Sequence, residues 1–184
     1  MESWQVYLGQ IATHQSLVFE RGSGLFVLMS PTPLMAARIL GLDSVTGHGV
    51  QALFSLCAVL GVYATFRKCA DRTLQVAVLL VAVFLVTPYG FNYDMTLTSV
   101  AVLWGFERAT QTGFLPGEKL LLGLVWGLPV LVLGANAQGL PVAPVILGLL
   151  FLVLLIRANG RLRQQGPAWV SGGATLPQPS DGRV

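Results

Sequence analysis

The amino-acid sequence predicts an all-α fold, a polytopic bundle of about five transmembrane helices with short interfacial helices at the N-terminus. Three observations lead to this prediction. Hydrophobic residues make up 54% of the 184 residues, and charged residues only 10%. Soluble domains carry about a quarter charged residues, so this chain has too little polar surface to face water on all sides. Long apolar runs recur along the chain, and most of its cations fall between alternate runs.

Residues 1–44 are predicted to form an extracytoplasmic segment that carries the interfacial helices. Four apolar side chains after Ser3 recur at helical spacing, which is typical of an amphipathic helix lying on a membrane. They are Trp4, Tyr7, Leu8 and Ile11. Further along, Thr32 and Pro33 precede the run LMAARIL, and Gly41 follows it. A capping threonine, a first-turn proline and a terminal glycine together predict a second short helix.

The apolar runs between residues 45 and 156 are predicted to be the membrane spans. Their predicted bounds are 45–66, 74–87, 91–106, 120–133 and 140–156. The first, for which Ser44 is the predicted N-cap, would be about 33 Å long, enough to cross a bilayer. Pro88 stops the second run, and Pro129 lies inside the fourth. Because several runs are shorter than about 20 residues, we expect trimmed ends and a thin or locally distorted bilayer.

The distribution of Lys and Arg predicts the orientation of these spans. With the loop after the first span placed inside, nine of the eleven cations fall on one side. They are Arg67, Lys68, Arg72, Arg108, Lys119, Arg157, Arg161, Arg163 and Arg183. Since cytoplasmic loops carry the excess of positive charge, this side is predicted to be cytoplasmic. Residues 157–184, rich in Gly, Pro, Gln and Ser, are predicted to be a disordered cytoplasmic tail.

The start of the chain leads to a further expectation. The sequence lacks a basic segment followed by an apolar segment and a cleavage site, which a secretory signal would have. A polar segment of 44 residues outside the membrane is then explained most simply by spans upstream. We therefore expect the chain to be the C-terminal part of a larger protein.

The sequence also argues against several classes of function. Cys57 lies in an apolar run and Cys69 in a basic loop, and neither has the spacing of a disulfide or a metal site. The chain has no P-loop, GxSxG, HExxH or strand-associated GxGxxG motif, so soluble enzyme chemistry is not supported. No metal, no cofactor and no nucleic-acid partner is predicted.

Polar residues near the outer ends of the predicted spans are the candidate site residues. Asn92, Tyr93 and Asp94 are expected to open the third span, at the level of Asn136 and Gln138 in the loop between the fourth and fifth spans. Because an acid at a membrane edge is costly without a cavity or a partner, Asp94 is a functional candidate. The alternative is an N-terminal acid that caps free amides and interacts with the helix dipole. Tyr93 could equally be an interfacial anchor.

Three further candidates lie nearby. His48 and Gln51, three residues apart, would share one face near the outer end of the first span. For His48 the alternative is a hydrogen bond within the bundle. Arg38 could contact a phosphate, or it could pair with Asp43 or with lipid headgroups.

The run TPYGFNYD at residues 87–94 resembles a recurring element of glycosyltransferase family 87. The C-terminal half of that family is also similar at three other places. These are residues 29–41, Gln51 at the start of a span, and the Gly117–Lys119 turn before the helix with Pro129. The resemblance extends from about Trp4 to Arg157. The members are polytopic GT-C-type enzymes that use polyprenyl-phosphate sugars, typified by mannosyltransferases.

The resemblance implies a membrane transferase that moves a hexose, mannose for the typical members, from a polyprenyl-phosphate donor to an acceptor on the extracytoplasmic face of the plasma (inner) membrane. Arg38 would contact the donor phosphate, and Asp94, Tyr93, Asn92, His48 and Gln51 would complete the substrate-binding set. GT-C enzymes carry their catalytic acid in the first extracytoplasmic loop, to which nothing in this chain corresponds. We therefore expect the base upstream and no transfer by this chain alone.

Two other classes stay open on sequence alone. One is a transporter or flippase fragment, with Asp94 and His48 on a proton or substrate path. The other is a non-catalytic membrane subunit that packs against a partner chain, which would also explain the absence of an N-terminal half. The partners predicted in common are the lipid bilayer and an N-terminal half or partner membrane chain.

Overall fold

The computed structural model describes Trp4 and residues 24–160, and within these residues the regular elements are all helices. The helices are α1 Leu25–Leu28, α2 Pro33–Ile39, α3 Ser44–Lys68, α4 Arg72–Val86, α5 Thr96–Thr112, α6 Glu118–Ala137 and α7 Ala143–Ala158. The predicted all-α class is therefore confirmed. The predicted helix around Tyr7, Leu8 and Ile11 and the tail beyond residue 160 lie outside the described residues.

Two of the helices, α3 and α6, are long and apolar enough to cross a membrane. Both extend further than the runs 45–66 and 120–133, because polar residues at their ends continue the helix. α4 and α7 are shorter apolar helices that closely match their predicted runs. α5 differs most: it begins at Thr96 instead of residue 91 and continues to Thr112 instead of residue 106.

Aspartates, not Ser44, are the N-caps of α3 and α4. Asp43 caps α3, because its Oδ2 accepts a hydrogen bond from the backbone N–H of Thr46 at 3.0 Å and its Oδ1 one from the Thr46 hydroxyl at 2.6 Å. The Thr46 hydroxyl, followed by the Thr46 N–H, lowers the pKa of Asp43 below its ordinary value. Asp71 caps α4 through the amides of Thr73 and Leu74. Ser44 is already the first residue of α3, and Asp43 before it has the extended backbone of an N-cap.

Helix α2 forms as its sequence predicts. The Thr32 hydroxyl accepts a hydrogen bond from the Met35 N–H, and Pro33 occupies the first turn. At the other end Gly41 has φ 76°, and the N–H of Leu42 donates to the Ala37 carbonyl at 3.0 Å. This is a Schellman ending, which needs a left-handed residue after the helix and therefore favours glycine.

The long helices pack as a bundle with α4 at its centre. α4 contacts α3, α5 and α7, while α6 closes the bundle against α5 and α7, and α2 lies against α3. Most of the largest fully buried side chains are apolar: Phe84, Met35, Leu74, Met95, Leu128, Leu147, Leu150 and Leu154. The N-terminal half of α3 is crossed by α2, where Gly47 leaves room for Leu34 and Ala37.

Polar side chains gather at the two ends of this bundle. The cation-rich end is defined by the basic residues Arg67, Lys68, Arg72, Arg108, Lys119 and Arg157. There Arg157 of α7 donates through Nε to Oε1 of Glu118 at 2.6 Å and through Nη2 to its other carboxylate oxygen. Arg157 therefore belongs to the last turn of α7 and not to the predicted tail 157–184, because it is paired inside the protein. The opposite end is called the cation-poor end below.

Candidate functional site

Residues 28–32 run through the interior of the cation-poor end. Ser30 and Thr32 are buried, with 2% and 0% of their surface exposed. Buried carbonyls need donors, and Asn136 of α6 supplies them: its Nδ2 donates to Leu28 O at 2.8 Å and to Ser30 O at 3.3 Å. Asn136 therefore lies in the last turn of α6 and ties residues 28–32 to it, instead of occupying the predicted loop.

Gln51 of α3 joins three elements at this end. Its Oε1 accepts a hydrogen bond from the Leu34 N–H, which the first turn of α2 leaves without a helical partner. Its Nε2 donates to the carbonyls of Leu85 and Val86 at the end of α4, both at 3.0 Å. These contacts use both polar atoms of the amide, so Gln51 holds α2 and α4 in place.

The 87–95 loop, which connects α4 and α5, carries three of the predicted site residues. Asp94 Oδ2 accepts a hydrogen bond from the Phe91 N–H at 3.2 Å, and successive i to i+3 backbone bonds from residue 91 form tight turns before α5. The backbone N–H groups of residues 94–98 donate to carbonyls three residues back instead of four, so the regular helix begins only at Thr96. Asn92, Tyr93 and Asp94 therefore precede the helix and do not open it.

Aromatic rings line the same loop. The Tyr93 ring stacks on Phe91 with centroids 5.2 Å apart, and Phe91 contacts Phe26 edge-on at 5.1 Å. Such pairs hold rings in place beyond the effect of burial alone. Tyr93 is nevertheless 62% exposed, so most of its ring faces outward.

Asn92 fixes the loop to both neighbouring segments. Its N–H donates to Met29 O at 2.9 Å, and its Nδ2 donates to Pro129 O in α6 at 3.4 Å. Its Oδ1 is buried and accepts no hydrogen bond from the described residues. A buried acceptor without a donor is uncommon and costs about 1–3 kcal/mol, which marks this atom as one that a ligand hydroxyl or a water molecule could satisfy.

Of the six predicted site residues, three lie on the 87–95 loop and three lie on α2 and α3. Asn92, Tyr93 and Asp94 are together on one loop, with the side chains of Tyr93 and Asp94 exposed. His48 and Gln51 differ in burial, because His48 is exposed and Gln51 is buried. Their 60° separation on the helix is enough to place one against α2 and the other outside.

Arg38 lies in the last turn of α2, half-buried, with Nη1 3.9 Å from Met35 Sδ. Its position on α2 places it at the cation-poor end, at the side where α2 crosses α3.

Sequence reasoning did not identify the strongest polar cluster of the structure, at the cation-rich end. Besides Glu118, Arg157 donates to the Thr112 hydroxyl at 2.6 Å and to Gly113 O at 2.9 Å, and Glu118 accepts from the Leu115 N–H at 2.8 Å. The cluster is closed on itself, which suits a structural role. One feature of the sequence could have indicated this cluster: the acid Glu118 lies at the start of one apolar run, and Arg157 lies at the end of the next.

The described residues contain no group of three or more His, Cys, Asp or Glu side chains able to hold a metal ion. Comparison with protein-family models, with characterised proteins and with solved structures finds no match to this chain.

Proposed function

We propose that α3 to α7 cross a membrane, the plasma (inner) membrane, with the cation-rich end and the C-terminus in the cytoplasm. Two features support this: the basic residues lie at one end of the bundle, and the long helices expose large apolar faces. On α6, for example, Trp126 is 70% and Val130 82% exposed.

For the activity, we propose the donor-binding part of a membrane hexosyltransferase that uses a polyprenyl-phosphate sugar, mannose by the resemblance of residues 87–94. The observation that carries the proposal is the anchored loop: Asn92 holds the backbone on both sides while Tyr93 and Asp94 keep exposed side chains beside an unsatisfied amide oxygen. Preorganised polar groups on a fixed backbone are what a sugar site requires.

Five of the six residues would have distinct roles. The Asp94 carboxylate would accept hydrogen bonds from sugar hydroxyls, because only one of its oxygens is used by the Phe91 N–H within the described residues. Asn92 Oδ1 would accept another, and the Tyr93 hydroxyl would donate to a ring oxygen or hydroxyl. Arg38 would bind the donor phosphate. Gln51 would support the site without touching ligand, and the base for inversion would come from a segment upstream, as the resemblance implies.

Replacing Asp94 by Asn tests the role of its charge. In membranes of the source cell, where any upstream segment or partner chain is present, we expect transfer from radiolabelled polyprenyl-phosphate mannose to fall about ten- to a hundredfold, as for a lost charge-assisted hydrogen bond of about 1.5–3 kcal/mol. Asn keeps an oxygen for the Phe91 N–H, so the loop should be retained. Asp43→Asn is the matched control, since it changes another exposed capping acid at the same end and should leave transfer unchanged.

Arg38→Lys complements this test. The variant keeps the charge but loses the planar fork, so bidentate phosphate binding would weaken and the KM for the donor would rise. Wild-type transfer by both Asp94→Asn and Arg38→Lys, at wild-type membrane levels, would show that these residues are caps and interface anchors.

A further inference from the structure

A groove of about 560 Å³ lies between α5 and α6, away from the 87–95 loop. Ligand sites of small molecules commonly have volumes of about 300–1,000 Å³. Most of its walls are apolar side chains, among them Leu103 and Phe106 of α5 and Leu122 and Trp126 of α6. At Gly123 an added Cβ would meet no atom within 4 Å, so the groove is open above this residue.

The groove has one charged end. Lys119 is in the first turn of α6, at the cation-rich end, and its Nζ lies 4.8 Å from the centroid of the Phe114 ring. The neighbouring acid Glu118 points inward and is neutralised by Arg157. On α5, Glu107 lines a different pocket, on the side of α4, together with Asp71 and Arg108. The local charge at the mouth of the groove is therefore positive.

We infer that this groove binds an acyl chain of an anionic phospholipid from the cytoplasmic leaflet, with Lys119 contacting the headgroup phosphate. An apolar groove running about 10 Å along the helices from Lys119 towards Trp126 matches a lipid that enters tail-first from the headgroup level. A lysine at that level attracts anionic headgroups, whereas a zwitterionic lipid gains less. The inference depends on the membrane placement proposed above and not on sugar transfer.

Fluorescence quenching tests the inference directly, because Trp126 lines the groove and is exposed. The full chain would keep Trp126 and carry phenylalanine at the other tryptophans, which are Trp4, Trp104 and Trp169. In vesicles of brominated lipid mixed with unlabelled lipid, we expect brominated phosphatidylglycerol to associate about five-fold more strongly than brominated phosphatidylcholine.

Two variants separate the headgroup from the tail. Lys119→Gln should abolish the preference for phosphatidylglycerol, while Lys68→Gln, which removes another exposed cation at the same end, should keep it. Gly123→Leu should reduce quenching by both lipids, because the new side chain fills the groove. Gly134→Leu is its control on the same helix, where an added Cβ also meets no atom within 4 Å.

Equal quenching by the two lipids in the starting protein, or an unchanged preference in Lys119→Gln, would overturn the inference. Protection of Trp126 from both lipids would overturn it as well, since a protein surface would then cover the groove. If the Gly123→Leu protein fails to insert into vesicles, the comparison of Lys119→Gln with Lys68→Gln still tests whether Lys119 selects the anionic lipid. Sugar transfer takes no part in these readouts, and accessibility labelling tests membrane placement separately, so a failure of lipid binding is distinguished from a failure of either part of the proposed function.

Discussion

The buried ion pair between Glu118 and Arg157 is the single contact with the largest expected effect on stability. Only 1% of either side chain is exposed; Arg157 also donates to the Thr112 hydroxyl and the Gly113 carbonyl, and Glu118 accepts from the Leu115 N–H. Burying two charges is costly, and the cost is offset only when the geometry and the remaining donors and acceptors are satisfied. The pair therefore fixes how the ends of α6 and α7 meet, and removing one partner leaves the other without compensation.

Arg157→Met is expected to lower the free energy of unfolding by about 3–5 kcal/mol, because the Glu118 carboxylate stays buried without its partner. Arg108→Met is the control: it breaks the Arg108–Asp71 pair, which spans 3.6 Å at the surface and should contribute about 0–1 kcal/mol. Thermal denaturation of the detergent-solubilised proteins measures both. Equal, small losses of stability in the two variants would mean that the buried pair is dispensable. Adding Glu118→Leu to Arg157→Met should recover part of the lost stability, because the unpaired carboxylate is then removed.

Among the helices, α3 shows how small residues set the approach of its neighbours. Gly47 admits α2, while Gly61 faces α7, where an added Cβ would lie 2.7 Å from Phe151 Cζ and 3.1 Å from Leu155 Cδ1. Phe151 is itself only 6% exposed, so its ring has little room to move. Close approach through glycine is the usual way in which helices pack in a membrane, where apolar burial between helices gives little driving force.

Two glycine substitutions in α3 should therefore have opposite effects. Gly61→Ala is expected to destabilise by about 1–3 kcal/mol through overpacking against α7. Gly49→Ala, at a position where the added Cβ meets nothing within 4 Å, should stabilise by up to about 1 kcal/mol through helix propensity. Resistance to denaturation in detergent reports both changes. A gain of stability in both variants would contradict the close packing of α3 on α7.

For the molecule as a whole, the polar contacts at the two ends and the apolar middle define an axis. The long helices run along it, and their exposed apolar side chains face outward between the two polar ends. Such a surface suits a bilayer, in which apolar faces cost nothing and only the ends meet water. The orientation proposed for this axis follows from the cations.

Cysteine labelling tests that orientation. In a chain in which Cys57 and Cys69 are replaced by serine, Gln138→Cys should react in intact cells with a maleimide that cannot cross membranes. Gln111→Cys should react only after the membrane is opened. Both positions are exposed, so burial would not prevent reaction at either. The reverse pattern would show that the cation-rich end is outside.

The amino-acid sequence by itself determined the features that neighbouring residues control. Apolar runs predicted the long helices, and the signals at Thr32, Pro33 and Gly41 predicted α2 with its two ends, because capping and periodicity are local effects. The largest error in bounds is also local: the backbone of residues 91–98 makes i to i+3 bonds, so α5 begins only at Thr96, and a simple apolar pattern does not reveal this.

The tertiary structure alone decided which buried polar groups meet. Asn136 reaches Leu28 from 108 residues away, Gln51 reaches Leu85 from 34, and Arg157 reaches Glu118 from 39. Away from water each of these groups must find a hydrogen-bond partner. The identity of that partner depends on how the whole chain packs, because packing determines which faces of the helices come into contact. For the same reason the sequence identified the candidate loop residues, and the fold decided that Asn92 anchors the loop while Tyr93 and Asp94 stay exposed.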